Sequence, residues 1–182
     1  MCAVLPRLEL RTRLVLVIHH YELRRSSNTG LLAQRALVNS LLRVRGAGRQ
    51  RLDLSDLLTP DYRSLLFFPS ADAVELSDDF IRQDPRPIQL IVPDGNWRQA
   101  GKLHSRQAEL RTVPRVKIGA PTEARYQLRA QVRPGRMATL QAVAAALRVI
   151  EGDAVGDQLL RLYDGRVART LTARGLPLDT LR

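Results

Sequence analysis

The sequence predicts an α/β fold in which helices cover both faces of a mostly parallel sheet. Runs of branched apolar residues are typical of strands that are buried on both faces. Amphipathic segments alternate with these runs, and polar turns follow them. A chain of 182 residues is long enough to bury a sizeable core, and no repeat or linker divides it. We therefore expect a single domain, 1–182.

The first half of the chain is predicted to contain two strands. Residues 14–18 form the first one, and a helix is predicted to begin near Thr29 because Ser, Asn and Thr precede it. Residues 43–51 combine glycines with four arginines and predict an exposed turn, which is either a solvated loop or a loop that binds phosphate. The second strand, 64–68, is followed by a turn at 69–73 that is predicted to open a short helix.

The second half begins with a connecting loop at 80–87 and a third strand, 88–92. The spacing of Trp97, Gly101, His104 and Ala108 predicts one helix after this strand. A short fourth strand near a sheet edge is predicted at 114–119, followed by helices at 138–151, which Thr139 can cap, and at 155–173.

Polar segments that begin at His19, Pro69 and Asp94 each follow a predicted strand. The carboxyl ends of parallel strands meet at one edge of a sheet, where ligands of open α/β folds bind. We therefore expect these three segments to share one site. Asp94 is the central candidate, and its alternative role is to cap the next helix.

The charge balance indicates a polyanionic partner, since 29 Lys and Arg stand against 18 Asp and Glu, for a formal charge of +11. A general preference for arginine would explain the scarcity of lysine but not the excess of positive charge. Three cations lie at helical spacing after Trp97, where either a solvated face or a bound polyanion would account for them. The candidate RNA-binding residues are Arg43, Arg45, Arg49, Arg98, Lys102 and Arg106.

Cys2 is the only cysteine, which excludes an internal disulfide and a zinc site with several cysteines. This cysteine usage fits the cytoplasm, and the apolar run at 14–18 is too short to span a bilayer. We expect no metal, because His19 and His20 lack carboxylates to complete a ligand set. The two histidines are interpreted as walls of the site.

Several motifs occur in an order that resembles the DTW-domain family, collinearly from about Val17 to Leu171. The order of the motifs makes the resemblance specific. They include the Ser27-Asn28-Thr29-Gly30 turn, preceded by the histidine pair and arginines, and the strand end Asp94-Gly95-Asn96-Trp97. The accompanying motifs are 68–73, 110–116, Tyr126, Leu128-Arg129 and Thr139.

The resemblance implies a SPOUT-like fold, and no periodicity distinguishes a knotted from an unknotted chain. It also implies transfer of the 3-amino-3-carboxypropyl group from S-adenosylmethionine to N3 of a uridine in tRNA. The sequence departs from the family pattern at Pro93, Asn96 and Gln141, and it lacks the family's N-terminal cysteine cluster. Two alternatives stay open: a methyltransferase that uses the same cofactor on RNA, and a non-catalytic RNA-binding protein with a vestigial pocket.

If the chain has the activity implied by the resemblance, Asp94 would accept the proton from uridine N3, and Trp97 would stack on a base. The alternative for Trp97 is a place in the core. Either Arg25 or Arg129 would pair with the amino acid carboxylate of the cofactor, or instead with tRNA phosphate. Asp94 and Trp97 are also candidates for cofactor binding. The remaining cofactor-binding candidates are Asn28, Thr29, Gly30, Pro69, Ser70, Gly95 and Thr139, for several of which a plain capped turn is the alternative.

Overall fold

The computed structural model describes residues 5–48, 51–95, 97–119 and 137–176, including the backbone but not the side chain of Trp97. The strands of this part are β1 (Arg13–His19), β2 (Ser40–Arg45), β3 (Arg63–Phe67), β4 (Val74–Glu75), β5 (Ile88–Asp94) and β6 (Arg115–Lys117). The helices are α1 (Gly30–Ala36), α2 (Asp78–Arg82), α3 (Trp97–Gly101), α4 (Leu103–Arg106), α5 (Thr139–Glu151) and α6 (Asp153–Ala173). Single 3-10 turns cover His20–Glu22, Ser55–Leu57 and Ala108–Leu110.

The strands form one sheet in the order β2-β1-β5-β3-β6-β4, and all the pairings are parallel. Alternate residues of a strand face opposite sides. On one side, Leu16 and Ile18 join a core with α1, α5 and α6, while on the other, Val15 and Val17 pack with Leu103 and the 3-10 turns. The predicted α/β class with its mostly parallel sheet is therefore confirmed.

The central strands form where the apolar runs predicted them, and β5 is longer than expected. It extends through Pro93 to Asp94, beyond the predicted end at Val92. Proline lacks the N–H that a central strand normally donates. β3 pairs with β5 only as far as Ile91, so Pro93 lies beyond that ladder.

Residues 43–51 were expected to form an exposed turn, which is wrong for Arg43 and Arg45. Both belong to β2, whose residues are all half-buried and which, in the part of the chain that the structure describes, pairs only with β1. Arginine can lie in such a strand because its aliphatic stem covers apolar surface while its charge reaches water.

Two predicted helices also differ from the structure. The turn at 69–73 leads into β4 instead of a helix, and the helix α2 begins later, at Asp78, where Ser77 accepts a hydrogen bond from the Phe80 amide at 3.2 Å. The helix expected after Trp97 is divided into α3, α4 and a 3-10 turn, with the break at Lys102.

The helices α5 and α6 pack against each other as a tight hairpin. Gly152 joins them with a φ of 100°, in the left-handed region that favours glycine. At Gly156 a Cβ atom would lie 2.7 Å from Cβ of Arg148, so the two helices approach closely there. No helix within the described ranges is long and apolar enough to cross a membrane.

Because β1, β5 and β3 are neighbours and run parallel, their last residues lie at the same edge of the sheet. The predicted convergence of the segments after His19, after Asp94 and at Pro69 is therefore confirmed.

Candidate functional site

The carboxylate of Asp94 lies at the end of β5 and is almost completely buried, with 5% of the residue exposed. Asn28 donates a hydrogen bond from Nδ2 to its Oδ2 at 2.5 Å. The Thr139 hydroxyl donates to the other oxygen, Oδ1, at 2.7 Å. Both oxygens therefore have a fixed donor, as a buried charged group requires.

Two helices begin beside this carboxylate. Asn28 also accepts a hydrogen bond from the Leu31 amide of α1 at 3.0 Å, and the Thr29 hydroxyl oxygen accepts one from the Leu140 amide of α5 at 3.2 Å. The amino ends of helices carry partial positive charge, which favours a negative group. The carboxylate and the two helix starts thus stabilise one another.

Gly30 is required at the first position of α1. A Cβ atom on this residue would lie 2.8 Å from Oδ2 of Asp94 and 3.2 Å from a methyl group of Leu16. No side chain fits there unless the carboxylate moves, so the Asn28-Thr29-Gly30 turn is shaped around Asp94.

The prediction that Thr139 caps α5 is wrong. The capping position is Ala138, whose amide donates to Oε1 of Gln141 at 3.1 Å. A capping side chain must precede the first helical residue to accept from the free amides. Thr139 is that first residue, so its hydroxyl is available to Asp94.

A cavity of about 470 Å³ opens at the same edge of the sheet, between the ends of β3, β5 and β6 and the start of α5. Its lining is mainly apolar but includes one carboxylate and one ammonium group. The lining residues are Phe67, Phe68, Pro69, Glu75, Val92, Pro93, Gly95, Ala100, Lys117, Ile118, Gly119, Met137, Thr139 and Ala142.

Three candidates from the sequence, Pro69, Gly95 and Thr139, line this cavity. Glu75 and Lys117 were not among the candidates predicted from the sequence. Lys117 lies in a predicted strand, so a charge near that strand's end was an available signal. Glu75 gave none, because β4 has only two residues and no recognisable periodicity.

The other cofactor-binding candidates lie around this edge or outside the described residues. The Ser70 hydroxyl is buried and has no hydrogen-bond partner among the described residues. Arg25 forms an ion pair with the buried Glu22 at 3.4 Å, and its own side chain is 56% exposed. Trp97 begins α3, but its side chain is outside the described part of the structure, so its predicted stacking stays a prediction. Arg129 falls outside the described residues.

The candidate RNA-binding residues fall into two groups. Arg98, Lys102 and Arg106 are exposed on the short helices after β5 and at their junction, while Arg49 falls outside the described residues. The other two belong to β2: Arg43 pairs with Asp56 at 2.5 Å, and Arg45 donates from its guanidinium to the Gln99 carbonyl oxygen.

His19 ends β1 beside Arg45, and burial lowers the pKa of its imidazole below 6.5, with a further decrease from the charge of Arg45. Burial likewise lowers the pKa of Arg45, with an added effect of Arg106. Within the described ranges, no group of three or more His, Cys, Asp or Glu side chains could hold a metal ion.

The fold and the site together define an α/β protein with a cavity and a buried acid at the carboxyl edge of a parallel sheet. A sequence profile of the DTW domain matches residues 1–171. The chain therefore belongs to the DTW-domain family.

Curated relatives carry the name tRNA-uridine aminocarboxypropyltransferase 2. The one from Drosophila melanogaster is 29% identical over 157 residues, which are 82% of this chain and 61% of the relative. The one from Mus musculus is 26% identical over 168 residues, 88% of this chain and 56% of the relative. The chain thus spans little more than half the length of these relatives, and no solved structure matched it significantly.

Proposed function

We propose that this chain transfers a 3-amino-3-carboxypropyl group from S-adenosylmethionine to N3 of a uridine in tRNA. The observation that carries the proposal is the buried Asp94, held by Asn28 and Thr139 at the edge where the cavity opens. Family membership and the names of the relatives support the reaction class. The SPOUT-like fold and the single-domain organisation belong to the same proposal.

The cavity suits the proposed donor in size and chemistry. Its volume of about 470 Å³ is in the range of pockets that hold small molecules. Phe67, Phe68 and Met137 would contact the apolar parts of the donor, and aromatic faces attract a positively charged sulfonium. Glu75 and Lys117 would face its charged groups.

In the proposed reaction, bound S-adenosylmethionine supplies a carbon that is activated by the adjacent sulfonium, and the electrons of the broken C–S bond leave with sulfur. The protein has to position the uridine and remove its N3 proton. We assign the proton to Asp94, because its carboxylate lies at the edge of the sheet where the cavity opens and a carboxylate can act as a general base. Asn28 and Thr139 fix the direction in which the carboxylate points.

The test is incubation of the purified protein with tRNA and S-adenosylmethionine, followed by mass spectrometry of the nucleosides. We expect a gain of about 100 mass units on uridine, whereas a methyltransferase would add about 14. Asp94→Asn should abolish transfer and leave tRNA affinity nearly unchanged. Asp61→Asn, which removes an exposed carboxylate, is the control and should keep full activity.

An active Asp94→Asn variant would remove Asp94 from the reaction. Binding of tRNA without any modified nucleoside in the wild type would favour the non-catalytic RNA-binding alternative. The excess positive charge predicts that tRNA affinity falls steeply with salt, so a flat salt dependence would contradict the role of the basic residues.

A further inference from the structure

Three aromatic rings contact one another at the carboxyl end of β1. The rings of His19 and Tyr21 are stacked with centroids 5.3 Å apart, and the ring of His20 lies 3.9 Å from Tyr21 and 4.8 Å from His19. The Tyr21 amide also donates to Nδ1 of His19 at 3.4 Å. We call His19, His20 and Tyr21 the ring stack.

The ring stack is held in place from its inner side. Gly46, at a φ of 75°, brings the end of β2 against the histidines, and a Cβ atom there would lie 2.9 Å from Nε2 of His19. Tyr21 is nevertheless 68% exposed, although both histidines pack against it. An exposed tyrosine on a rigid support is a surface on which a planar group can stack.

Three arginines lie near the ring stack, and we call Arg45, Arg51 and Arg106 the arginine cluster. Arg45 is the register partner of His19 on the neighbouring strand, and Arg106 is near enough to Arg45 for their charges to interact. Arg51 donates to the main-chain carbonyl oxygen of Arg106 at 2.9 Å. None of the three forms an ion pair with another described residue, so their charge is not neutralised within the described chain.

The ring stack is also adjacent to the candidate catalytic edge. Ile18 is the register partner of Asp94, and a Cβ atom on Gly95 would lie 3.7 Å from Cβ of His19. Gly95 in turn lines the cavity. A molecule bound on the ring stack would therefore lie next to the cavity.

We propose that the ring stack and the arginine cluster bind one unpaired nucleotide of the RNA substrate, with its base on Tyr21 and its phosphates on the arginines. Aromatic faces hold unpaired bases by stacking, and arginines contact phosphate with several donors. A base inside a duplex is stacked between its neighbours and cannot offer its face, so the substrate class is tRNA that is single-stranded or opened at this nucleotide. This inference rests on the proposed function, because it concerns the acceptor of that reaction.

The test compares Tyr21→Ala with Tyr21→Phe, which keeps the ring. The probes are a tRNA transcript and a short single-stranded RNA that contains 2-aminopurine, whose fluorescence is quenched by stacking. We expect Tyr21→Ala to weaken binding of both probes by about 5- to 150-fold, the loss of one base–aromatic stack, and to abolish the quenching. Tyr21→Phe should retain affinity and quenching.

Arg106→Ala should weaken binding to all RNA sequences and reduce its salt dependence. Arg161→Ala, which removes an exposed arginine of α6, is the matched control and should bind like the wild type.

Normal affinity and quenching in Tyr21→Ala, with transfer intact in the wild type, would overturn this inference and leave the proposed function standing. Weakened binding in Tyr21→Ala, with no transfer in the wild type, would support the inference and reject the function. Polyglutamate that competes as well as RNA would show an acidic-protein site and overturn it.

Discussion

Replacement of Gly30 by alanine tests the geometry around Asp94 most directly. The new Cβ atom would lie 2.8 Å from Oδ2 and 3.0 Å from Cγ of Asp94, whereas ordinary contact begins at 3.4 Å. The carboxylate would have to move by about 0.6 Å, which would disturb its hydrogen bonds from Asn28 and Thr139. An extra carbon atom in a well-packed interior typically costs about 1–3 kcal/mol.

The control is Gly165→Ala in α6, because no atom lies within 4 Å of the added Cβ there. Alanine is favoured over glycine in a helix by about 1 kcal/mol. We therefore expect Gly165→Ala to raise the free energy of unfolding by about 0.5–1 kcal/mol, and Gly30→Ala to lower it by about 1–2 kcal/mol because its packing cost exceeds the helical gain.

Urea unfolding followed by circular dichroism measures both changes, and nucleoside mass spectrometry measures transfer. We expect Gly30→Ala to reduce transfer by about tenfold or more at saturating RNA, since misplacement of a reacting group by a fraction of an ångström is costly. Equal stabilisation by both substitutions, or full transfer in Gly30→Ala, would refute the close contact between Gly30 and Asp94.

Three further predictions concern other parts of the molecule. Gly156→Ala should lower the free energy of unfolding by about 1–3 kcal/mol, because its Cβ would force α5 and α6 apart; a stabilised variant in urea would contradict this. Burial and the charge of Arg45 lower the pKa of His19 below 6.5, so as the pH falls below 6.5 the imidazole of the unfolded chain is protonated first and the folded state loses stability. His19→Gln should make that loss of stability shallower, and an NMR titration midpoint at or above 6.5 would be inconsistent with burial of His19 beside Arg45. The hydrogen bond from Arg86 lowers the pKa of Asp84 to about 2, so the contribution of the Asp84–Arg86 pair to stability is present above pH 3.8 and is lost as the pH falls through about 2. An unchanged acid-unfolding curve in Asp84→Asn would show that this pair does not contribute to stability.

The sheet was predictable where burial alone determines the strand. The runs at 14–18 and 88–92 are apolar on both faces, and they became the two central strands β1 and β5. β2 was missed because two arginines at its half-buried edge position resemble a loop. β4 was missed because a strand of two residues is too short to show the alternation of apolar and polar residues that identifies a strand.

The candidate site was predictable only in part. Parallel strands require His19 and Asp94 to share an edge, so the sequence was sufficient to place the acid. The bond from Thr139 to Asp94 joins residues 45 positions apart and depends on how α5 lies on the sheet, which no local pattern determines. Local capping rules therefore predicted Thr139 as the cap of α5, whereas Ala138 is the capping residue and Gln141 accepts the hydrogen bond from its amide.

The two hydrogen-bond donors to Asp94 come from segments that are distant from it in sequence. Asn28 is 66 residues away in sequence and Thr139 is 45, so both contacts form only after distant segments have come together. A partly folded chain that lacks α5 would have the acid but not its arrangement. A ligand that binds this site would then bind only the complete native state, and at a hundred times its dissociation constant it would add about 2.7 kcal/mol to stability. In a cell, the ligand concentration would thus set how much of this protein survives degradation as well as how much of it is active.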